Sequence, residues 1–322
     1  DRVTVVRSSQ ADAPQEDGFL QEKNRAHVTL RQHAQQDRAY IESCFGRSLY
    51  SPEQLHRAEQ ELCTGNHLGC HLWFTDGAPT PGTAPTAEAK HLAEQAELQA
   101  VRNRAYYSDN LDLHRSAVLR LTEQIQNCIL IHQQPRARVA RIGQLDAAHV
   151  WRVPLLHDSR VFLASEEENQ PAFTVDLLLD ASASRLHCQE VLAAQGVILA
   201  KSLLACSIPV RVSSFCSLRG YTVLRILKNF DEKSSQSIFR YFSSGWNRDG
   251  LALRAIGDLL AVFPGPAPRH LLLILTDASP NDSLRVQASS ENPFGHDYGD
   301  AFGVQDTAAE VRALRAKGIH VS

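Results

Sequence analysis

The chain has 322 residues, of which 43% are hydrophobic and 21% are charged, and its formal net charge is -3. These proportions are typical of a soluble globular protein, and the small negative charge argues against a general affinity for nucleic acids or anionic membranes. No apolar run approaches the roughly 18 residues that a membrane-spanning helix needs, and no signal peptide is expected at the N-terminal end.

The N-terminal half is predicted to be mainly helical. Residues 1–18 are polar and show no periodicity, so we interpret them as a loose tail. A helical pattern follows over residues 19–44. A further helix is predicted to begin after Ser51 and to run to about Cys63, because Ser51 can cap its N-terminus and Gln54 can reach back to the cap in a capping box.

Two longer helical patterns cover residues 87–107 and 111–132. The second carries an apolar stripe, which predicts a face packed against other helices. Proline and glycine residues in 77–86 mark a linker or an exposed loop. We divide the chain in a later acidic loop, between a mainly helical N-terminal region, residues 19–165, and an α/β domain, residues 166–322.

Two cysteines and two histidines, Cys63, His67, Cys70 and His71, fall within nine residues, as they do in some zinc sites. Their spacing matches none of the common paired-ligand patterns and no second pair lies nearby in sequence. A turn followed by a short strand at 72–74 is therefore the favoured interpretation. The seven cysteines of the chain are irregularly spaced, which indicates reduced thiols and a cytoplasmic location.

The C-terminal half alternates strands with helices. Residues 175–179 and most of 270–277 are apolar, which is typical of parallel strands that are buried on both faces. This alternation predicts an α/β fold, with a parallel sheet covered by helices. The other predicted elements are strands at 209–215, 221–227 and 319–321 and helices at 186–207, 237–242, 250–263 and 307–317.

Oxygen-bearing side chains are concentrated in three loops of this half, after the strands at 175–179 and 270–277 and before the helix at 250–263. Parallel strands end at one edge of their sheet, so we expect these loops to meet there. Carboxylates and hydroxyls are ligands for Mg²⁺, Mn²⁺ or Ca²⁺. Asp282 and Asp306 are interpreted instead as a turn residue and a helix cap. The candidate metal ligands are Asp180, Ser182, Ser184, Asn247, Asp249 and Asp277.

These motifs resemble the von Willebrand factor A domain with its metal-ion-dependent adhesion site. The family's Asp-x-Ser-x-Ser motif is complete at 180–184, and its Thr-Asp-Gly motif is met except that Ala278 replaces the glycine. The resemblance covers about residues 173–322 and implies a Rossmann-like fold. Where the family has a threonine ligand in the middle loop, this chain offers Asn247 or Asp249, and the choice stays open.

Five further motifs of the chain are Asn247-x-Asp249-Gly250, Thr276-Asp277-x-x-Pro280-Asn281-Asp282, Tyr298-Gly-Asp300, Gly303-x-x-Asp306 and the upstream Gly143-Gln-Leu-Asp146. With them the chain resembles, more narrowly, the nitric oxide reductase activation protein family, NorD, and in part the cobaltochelatase subunit CobT. This resemblance implies a non-catalytic adaptor that works with a MoxR-type AAA+ ATPase on a client protein such as nitric oxide reductase, through a partner carboxylate on the metal.

Two alternatives are kept beside the adaptor. One is a chelatase-type subunit for metal insertion into a tetrapyrrole. The other is a metal-dependent hydrolase or phosphatase with Asp180 as its nucleophile, a chemistry that normally requires another carboxylate or a base close by. The sequence contains no HExxH or GxSxG motif. None of its six lysines completes a P-loop, so we expect neither ATP binding nor enzymatic activity.

Overall fold

The structure is a computed structural model that describes residues 34–77, 87–132, 136–156, 158–166, 173–288 and 294–322. The predicted tail at 1–18, most of the helical pattern at 19–44 and nearly all of the linker at 77–86 lie outside these residues. The helices are α1 (34–45), α2 (Pro52–Leu62), α3 (Ala87–Asp109), α4 (Leu111–His132), α5 (Arg152–Leu156), α6 (Gln189–Ala205), α7 (Asp249–Val262) and α8 (Asp300–Ala316). The strands are β1 (His71–Thr75), β2 (Arg136–Ala140), β3 (Gln144–Leu145), β4 (Phe162–Glu166), β5 (Phe173–Asp180), β6 (Val210–Leu218), β7 (Tyr221–Lys228), β8 (Arg269–Leu275), β9 (Asp282–Val286), β10 (His296–Tyr298) and β11 (Ile319–Val321).

A six-stranded sheet in the order β1-β7-β6-β5-β8-β11 organises the described part of the chain. Strands β6, β5, β8 and β11 are parallel to one another, and the apolar runs of β5 and β8 lie side by side at its centre. The predicted α/β fold, with its mainly parallel Rossmann-like sheet, is confirmed. Among the described helices, none combines the length and the apolar character needed to cross a membrane.

Strand β7 departs from the predicted parallel arrangement, because it runs antiparallel to β6. Arg219 and Gly220 join the two strands and have φ values of 50° and 79°. A two-residue turn with positive φ at both positions matches the right-handed twist of antiparallel neighbours. The usual Asn-Gly or Asp-Gly signal of such a turn is missing here, so the sequence alone did not reveal the hairpin.

The order of the strands reverses at β5. The chain crosses from β5 through α6 to β6 on one side, whereas β8 lies on the other side of β5. Right-handed crossovers then place α6 and α7 on opposite faces of the sheet. A reversal of this kind opens a crevice at the carboxyl ends of the two central strands, where ligands bind in open α/β sheets.

The N-terminal region contributes directly to this sheet. Strand β1 pairs with β7, and the outer edge of β1 is covered because Leu49 N–H donates to the carbonyl of Phe74 at 2.7 Å. On another face, the buried amide of Asn103 in α3 donates to the carbonyls of Phe239 and Tyr241, each at 2.9 Å. The predicted division between residues 165 and 166 stays a prediction of domain limits, but elements from both sides of it share one core.

Local sequence signals in this region are confirmed. Ser51 Oγ accepts from Gln54 N–H at 3.2 Å, and Gln54 Oε1 accepts from Ser51 N–H at 2.9 Å, which completes the capping box of α2. The stretch that begins at Cys63 forms a turn and then β1. Burial raises the pKa of Cys63 to about 12 and that of Cys70 to about 11, which disfavours the thiolate form of both side chains.

The described residues on both sides of 289–293 form the antiparallel pair β9 and β10, where the glycines at 295, 299 and 303 favour a loop in the sequence. Helix α8 begins at Asp300 instead of about Thr307. Gly303 therefore lies inside α8, and a Cβ there would come within 2.8 Å of the Pro280 side chain. This glycine serves close packing rather than a loop.

Candidate metal centre

The first loop of the candidate centre begins where β5 ends. The side chain of Asp180 is buried, and its Oδ1 accepts from Ser182 N–H at 2.9 Å. Its Oδ2 accepts from the Thr276 hydroxyl at 3.3 Å, across to the end of β8. The Tyr241 hydroxyl donates to the Asp180 carbonyl at 2.5 Å. Asp180 is thus fixed at the crevice between the two central strands.

Hydroxyl groups link the first loop to the third. Ser182 Oγ and Ser184 Oγ are 2.9 Å apart, and Ser184 Oγ donates to Oδ2 of Asp277 at 3.1 Å. The other oxygen of Asp277 accepts from Ser279 N–H at 3.1 Å. The structure therefore brings together the motif residues that follow β5 and β8, as the sequence analysis predicts.

The second loop reaches the same edge through Asn247. Asn247 and Asn281 form an isolated antiparallel β-bridge, in which each backbone N–H donates to the other residue's carbonyl at 2.9 Å. The Asn247 side chain extends that bridge, because its Nδ2 donates to the Ser279 carbonyl at 3.2 Å and its Oδ1 accepts from Asn281 N–H at 3.1 Å. Its amide is committed to holding the third loop.

Unlike Asn247, Asp249 has a side chain without hydrogen-bond partners among the described residues. Its side chain is buried at the start of α7, and neither carboxylate oxygen accepts a hydrogen bond from the described residues. Burial, together with the charge of nearby Asp180, raises the pKa of Asp249 to about 7, although the nearby Asn247 side chain acts in the opposite direction. Buried polar atoms without partners are rare and call for an explanation. Between the two second-loop candidates, this geometry favours Asp249 as a ligand and Asn247 as a scaffold.

The residues present fit a divalent cation. Burial raises the pKa of Asp180 as well, although hydrogen bonds from Ser182 oppose the shift. Burial disfavours the ionised form of both carboxylates, and the charge of Asp180 adds to the effect at Asp249, so a bound cation would stabilise the ionised pair. Carboxylate and hydroxyl oxygens are the donor types that Mg²⁺, Mn²⁺ and Ca²⁺ take.

A cationic side chain that the sequence analysis missed lies in the same place. Arg185 follows the Asp-x-Ser-x-Ser motif directly, and its Nη2 forms an ion pair with Oδ2 of Asp277. Its Nε lies 3.9 Å from Oδ2 of Asp180, is buried and makes no hydrogen bond with the residues that the structure describes. Its adjacency to the motif was the one signal that could have drawn attention to it.

Behind the second loop, a buried polar network supports the backbone. Arg248 stands between Asn247 and Asp249, and its Nη1 donates to Asp282 at 2.8 Å. The Arg248 guanidinium also reaches back to the N-terminal region, because Nη2 donates to the Asn66 carbonyl at 2.8 Å. The loop is therefore positioned by residues far away in sequence.

Asp282 and Asp306 are structural, but not in the roles that were predicted. Asp282 is the buried counter-ion of Arg248, and its Oδ1 also accepts from Leu284 N–H at 3.4 Å within β9. Asp306 lies within α8 and accepts from the Tyr298 hydroxyl at 2.7 Å and from Asn66 Nδ2 at 2.7 Å. A side chain at Gly250 would come within 2.0 Å of the Asp306 carboxylate, so glycine is needed there.

His67, Asp306 and Glu310 form a second cluster with metal-binding types of side chain. Each of the three already accepts at least one hydrogen bond from this chain. His67 Nδ1 accepts from Arg248 Nε at 3.2 Å, which leaves the proton on Nε2, and Glu310 accepts from Arg254 at 2.8 Å. The two arginines would also repel a cation. We interpret this cluster as part of the supporting network.

Comparisons with known proteins were made for the whole chain. No family model matches it, and no curated protein matches it. It is similar to a solved structure of three N-terminal domains of the type V pili tip protein Mfa5 from Porphyromonas gingivalis, with 13% identity, a TM-score of 0.30 and coverage of 38% of this chain and 22% of that chain. The vWF domain of Mfa5 is similar at 12% identity and a TM-score of 0.30, covering 38% of this chain and 43% of that chain. The chain spans less than half the length of either structure.

Proposed function

We propose that this chain is a non-catalytic adaptor that binds a partner protein through a divalent cation at the carboxyl edge of β5 and β8. The observation that carries the proposal is the buried Asp249 carboxylate. Its oxygens have no hydrogen-bond partner among the described residues, and burial and the charge of Asp180 raise its pKa. A buried carboxylate without a partner is costly to the fold. It is explained if the site is built to bind a cation.

Asp180 and Asp249 would hold the cation from two loops, with the hydroxyls of Ser182 and Ser184 beside them and Asp277 from the third loop. When bound, a cation of the Mg²⁺, Mn²⁺ or Ca²⁺ type offers exchangeable positions to a carboxylate of the partner. Asn247, Arg248 and Tyr241 hold the loops in place and need not touch the partner. The role of the chain is thus recognition, with a geometry that depends on all three loops.

The resemblance to NorD supports a narrower version of the proposal. In that version the partner is a MoxR-type AAA+ ATPase, and the pair activates or remodels a client such as nitric oxide reductase. The unpaired state of all seven cysteines accords with the reducing cytoplasm that this partnership requires. The chelatase alternative assigns the same cation site to a different client, so client identity separates the two.

The test is a binding experiment with the purified MoxR-type ATPase of the same organism, in Mg²⁺ and in EDTA. We expect binding by the wild type in Mg²⁺ only, and none by Asp180→Asn. Asp231→Asn is the matched control, because it removes the same charge from an exposed position at the opposite edge of the sheet, just past the end of β7. Equal binding in Mg²⁺ and EDTA would contradict the proposal, and so would full binding by Asp180→Asn.

A further inference from the structure

Arg185 lies among the carboxylates that are proposed to bind the cation. Its guanidinium forms an ion pair with Asp277, and its Nε is 3.9 Å from the carboxylate of Asp180. The side chain is only 16% exposed, so water screens these contacts poorly. One positive side chain thus contacts or faces carboxylates from two of the three loops.

The oxygen that Arg185 uses is also the one that ties the loops together. Oδ2 of Asp277 receives both the guanidinium and the Ser184 hydroxyl, while Oδ1 of Asp277 accepts from Ser279 N–H. Oδ2 therefore has two of this chain's own donors on its two lone pairs. Oδ2 can contact a cation directly only if one of them moves away, and Arg185 is the donor whose charge the cation would repel.

The guanidinium is fully charged at any ordinary pH. It stabilises the negative charge of Asp277 and Asp180, as a divalent cation would, and it repels such a cation at close range. On the Asp180 side, Arg185 Nε makes no hydrogen bond with the described residues and lies 3.9 Å from the carboxylate. Its hold on the centre rests on the pair with Asp277.

We propose that Arg185 is an internal competitor of the divalent cation and thereby sets the affinity of the centre. Binding of the cation and release of Arg185 from Asp277 are then one coupled event. This inference rests on the proposed function, since it concerns the same three loops. It predicts a centre that is weak in the wild type and becomes tight when the arginine charge is removed.

The experiment measures Mn²⁺ and Mg²⁺ binding to the full chain by electron paramagnetic resonance and calorimetry. The proteins are the wild type, Arg185→Gln, Arg185→Lys and Arg269→Gln. Arg269 is exposed at the first residue of β8, at the edge of the sheet opposite the centre, so its variant controls for the loss of net charge. Circular dichroism establishes that each variant is folded.

We expect Arg185→Gln to bind Mn²⁺ at least tenfold more tightly than the wild type. Arg185→Lys should lie between them, because lysine keeps the charge but not the planar fork. Arg269→Gln should stay within twofold of the wild type. An Arg185→Gln affinity equal to or weaker than that of the wild type would overturn the inference while leaving the proposed function intact. If neither protein binds a divalent cation, the proposed function itself fails.

A second measurement covers the case in which Arg185→Gln does not fold. In the wild type, the Nε–H resonance of Arg185 should move on addition of Mg²⁺ as its ion pair with Asp277 breaks, and EDTA should reverse the change. An Arg185 resonance that is unchanged at saturating Mg²⁺ would overturn the inference without the variant.

Discussion

Asp249 at the start of α7 and Asp180 at the end of β5 are both buried, and the charge of Asp180 raises the pKa of Asp249. Neither oxygen of Asp249 accepts a hydrogen bond among the described residues. The fold therefore carries a local cost at this position. Residues that lower stability in this way are typical of binding sites, where the missing partner comes from outside.

Replacing this carboxylate with an amide should stabilise the protein and disable the centre. The folded pKa of Asp249 is raised to about 7 from 3.8, so its cost appears as pH rises through that window and is complete above it. Asp249→Asn should therefore raise the free energy of unfolding by about 2 kcal/mol at pH 8 in EDTA. Urea unfolding at pH 8 and pH 4 measures it, and Mn²⁺ binding should be lost in the same variant. A less stable variant that still binds Mn²⁺ would contradict the account.

The ion pair behind the second loop gives a second prediction. Arg248 and Asp282 have side chains that are 1% and 3% exposed, so losing one partner leaves a buried charge alone. Arg248→Gln should destabilise the protein by about 3–5 kcal/mol. The exposed pair of Arg285 and Asp297 is the control, and Arg285→Gln should cost less than about 1 kcal/mol. Equal effects of the two variants in urea unfolding would be evidence against the buried network.

His67 gives a prediction about acid stability. Burial lowers its folded pKa from 6.5 to about 3, and Arg254 and Arg248 act in the same direction against the opposing charge of Asp306. Between these pH values His67 is protonated in the unfolded chain but not in the folded chain. Stability is therefore lost as pH falls from about 6.5 to about 3. The loss attributable to His67 reaches about 1.4 kcal/mol per pH unit at most.

The measurement is urea unfolding at pH 7 and pH 5. The wild type should lose about 1–2 kcal/mol more than His67→Gln over this interval. His56 is exposed on α2, and His56→Gln should behave like the wild type. Parallel pH dependence of the wild type and His67→Gln would show that this histidine is not the acid-sensitive group.

Ala278 gives a prediction about backbone strain in the third loop. Its φ is 55°, in the left-handed region that alanine adopts at a cost of about 1–2 kcal/mol. Glycine relieves that cost but adds freedom to the unfolded chain, so the net gain from Ala278→Gly should be about 0.5–1 kcal/mol. Thermal unfolding in EDTA measures it, and Ala183→Gly, at an ordinary φ, should show no gain. A destabilised Ala278→Gly variant would contradict the observed backbone.

Much of the fold could be predicted because its signals are local. The apolar runs that became β5 and β8, the capping box at Ser51 and the long helical patterns need no knowledge of distant residues. The reversal of β7 and the pair β9–β10 were missed because their turns and short strands carry weak local patterns. Strand β1 joins the sheet through pairing with β7, which depends on chain segments about 150 residues apart, since 221 − 71 = 150.

The ligands of the candidate metal centre could likewise be predicted only in part from the sequence. The sequence brought Asp180 and Asp277 to one edge because parallel strands share an edge. It could not separate Asn247 from Asp249, since both offer oxygen atoms at similar places. Pairing with Asn281 favours Asp249 as the ligand, because it holds the amide of Asn247 against the third loop. Arg185 was overlooked for a related reason, as its ion pair exists only after the third loop is in place.

The most direct test of the central claim is the number of divalent cations bound per chain. Mn²⁺ titration of the wild type followed by electron paramagnetic resonance should show one site, displaceable by Mg²⁺ and absent in both Asp180→Asn and Asp249→Asn. Asp231→Asn should keep the site. A wild type that binds no Mn²⁺, or an Asp249→Asn variant that binds it as well as the wild type, would contradict the account.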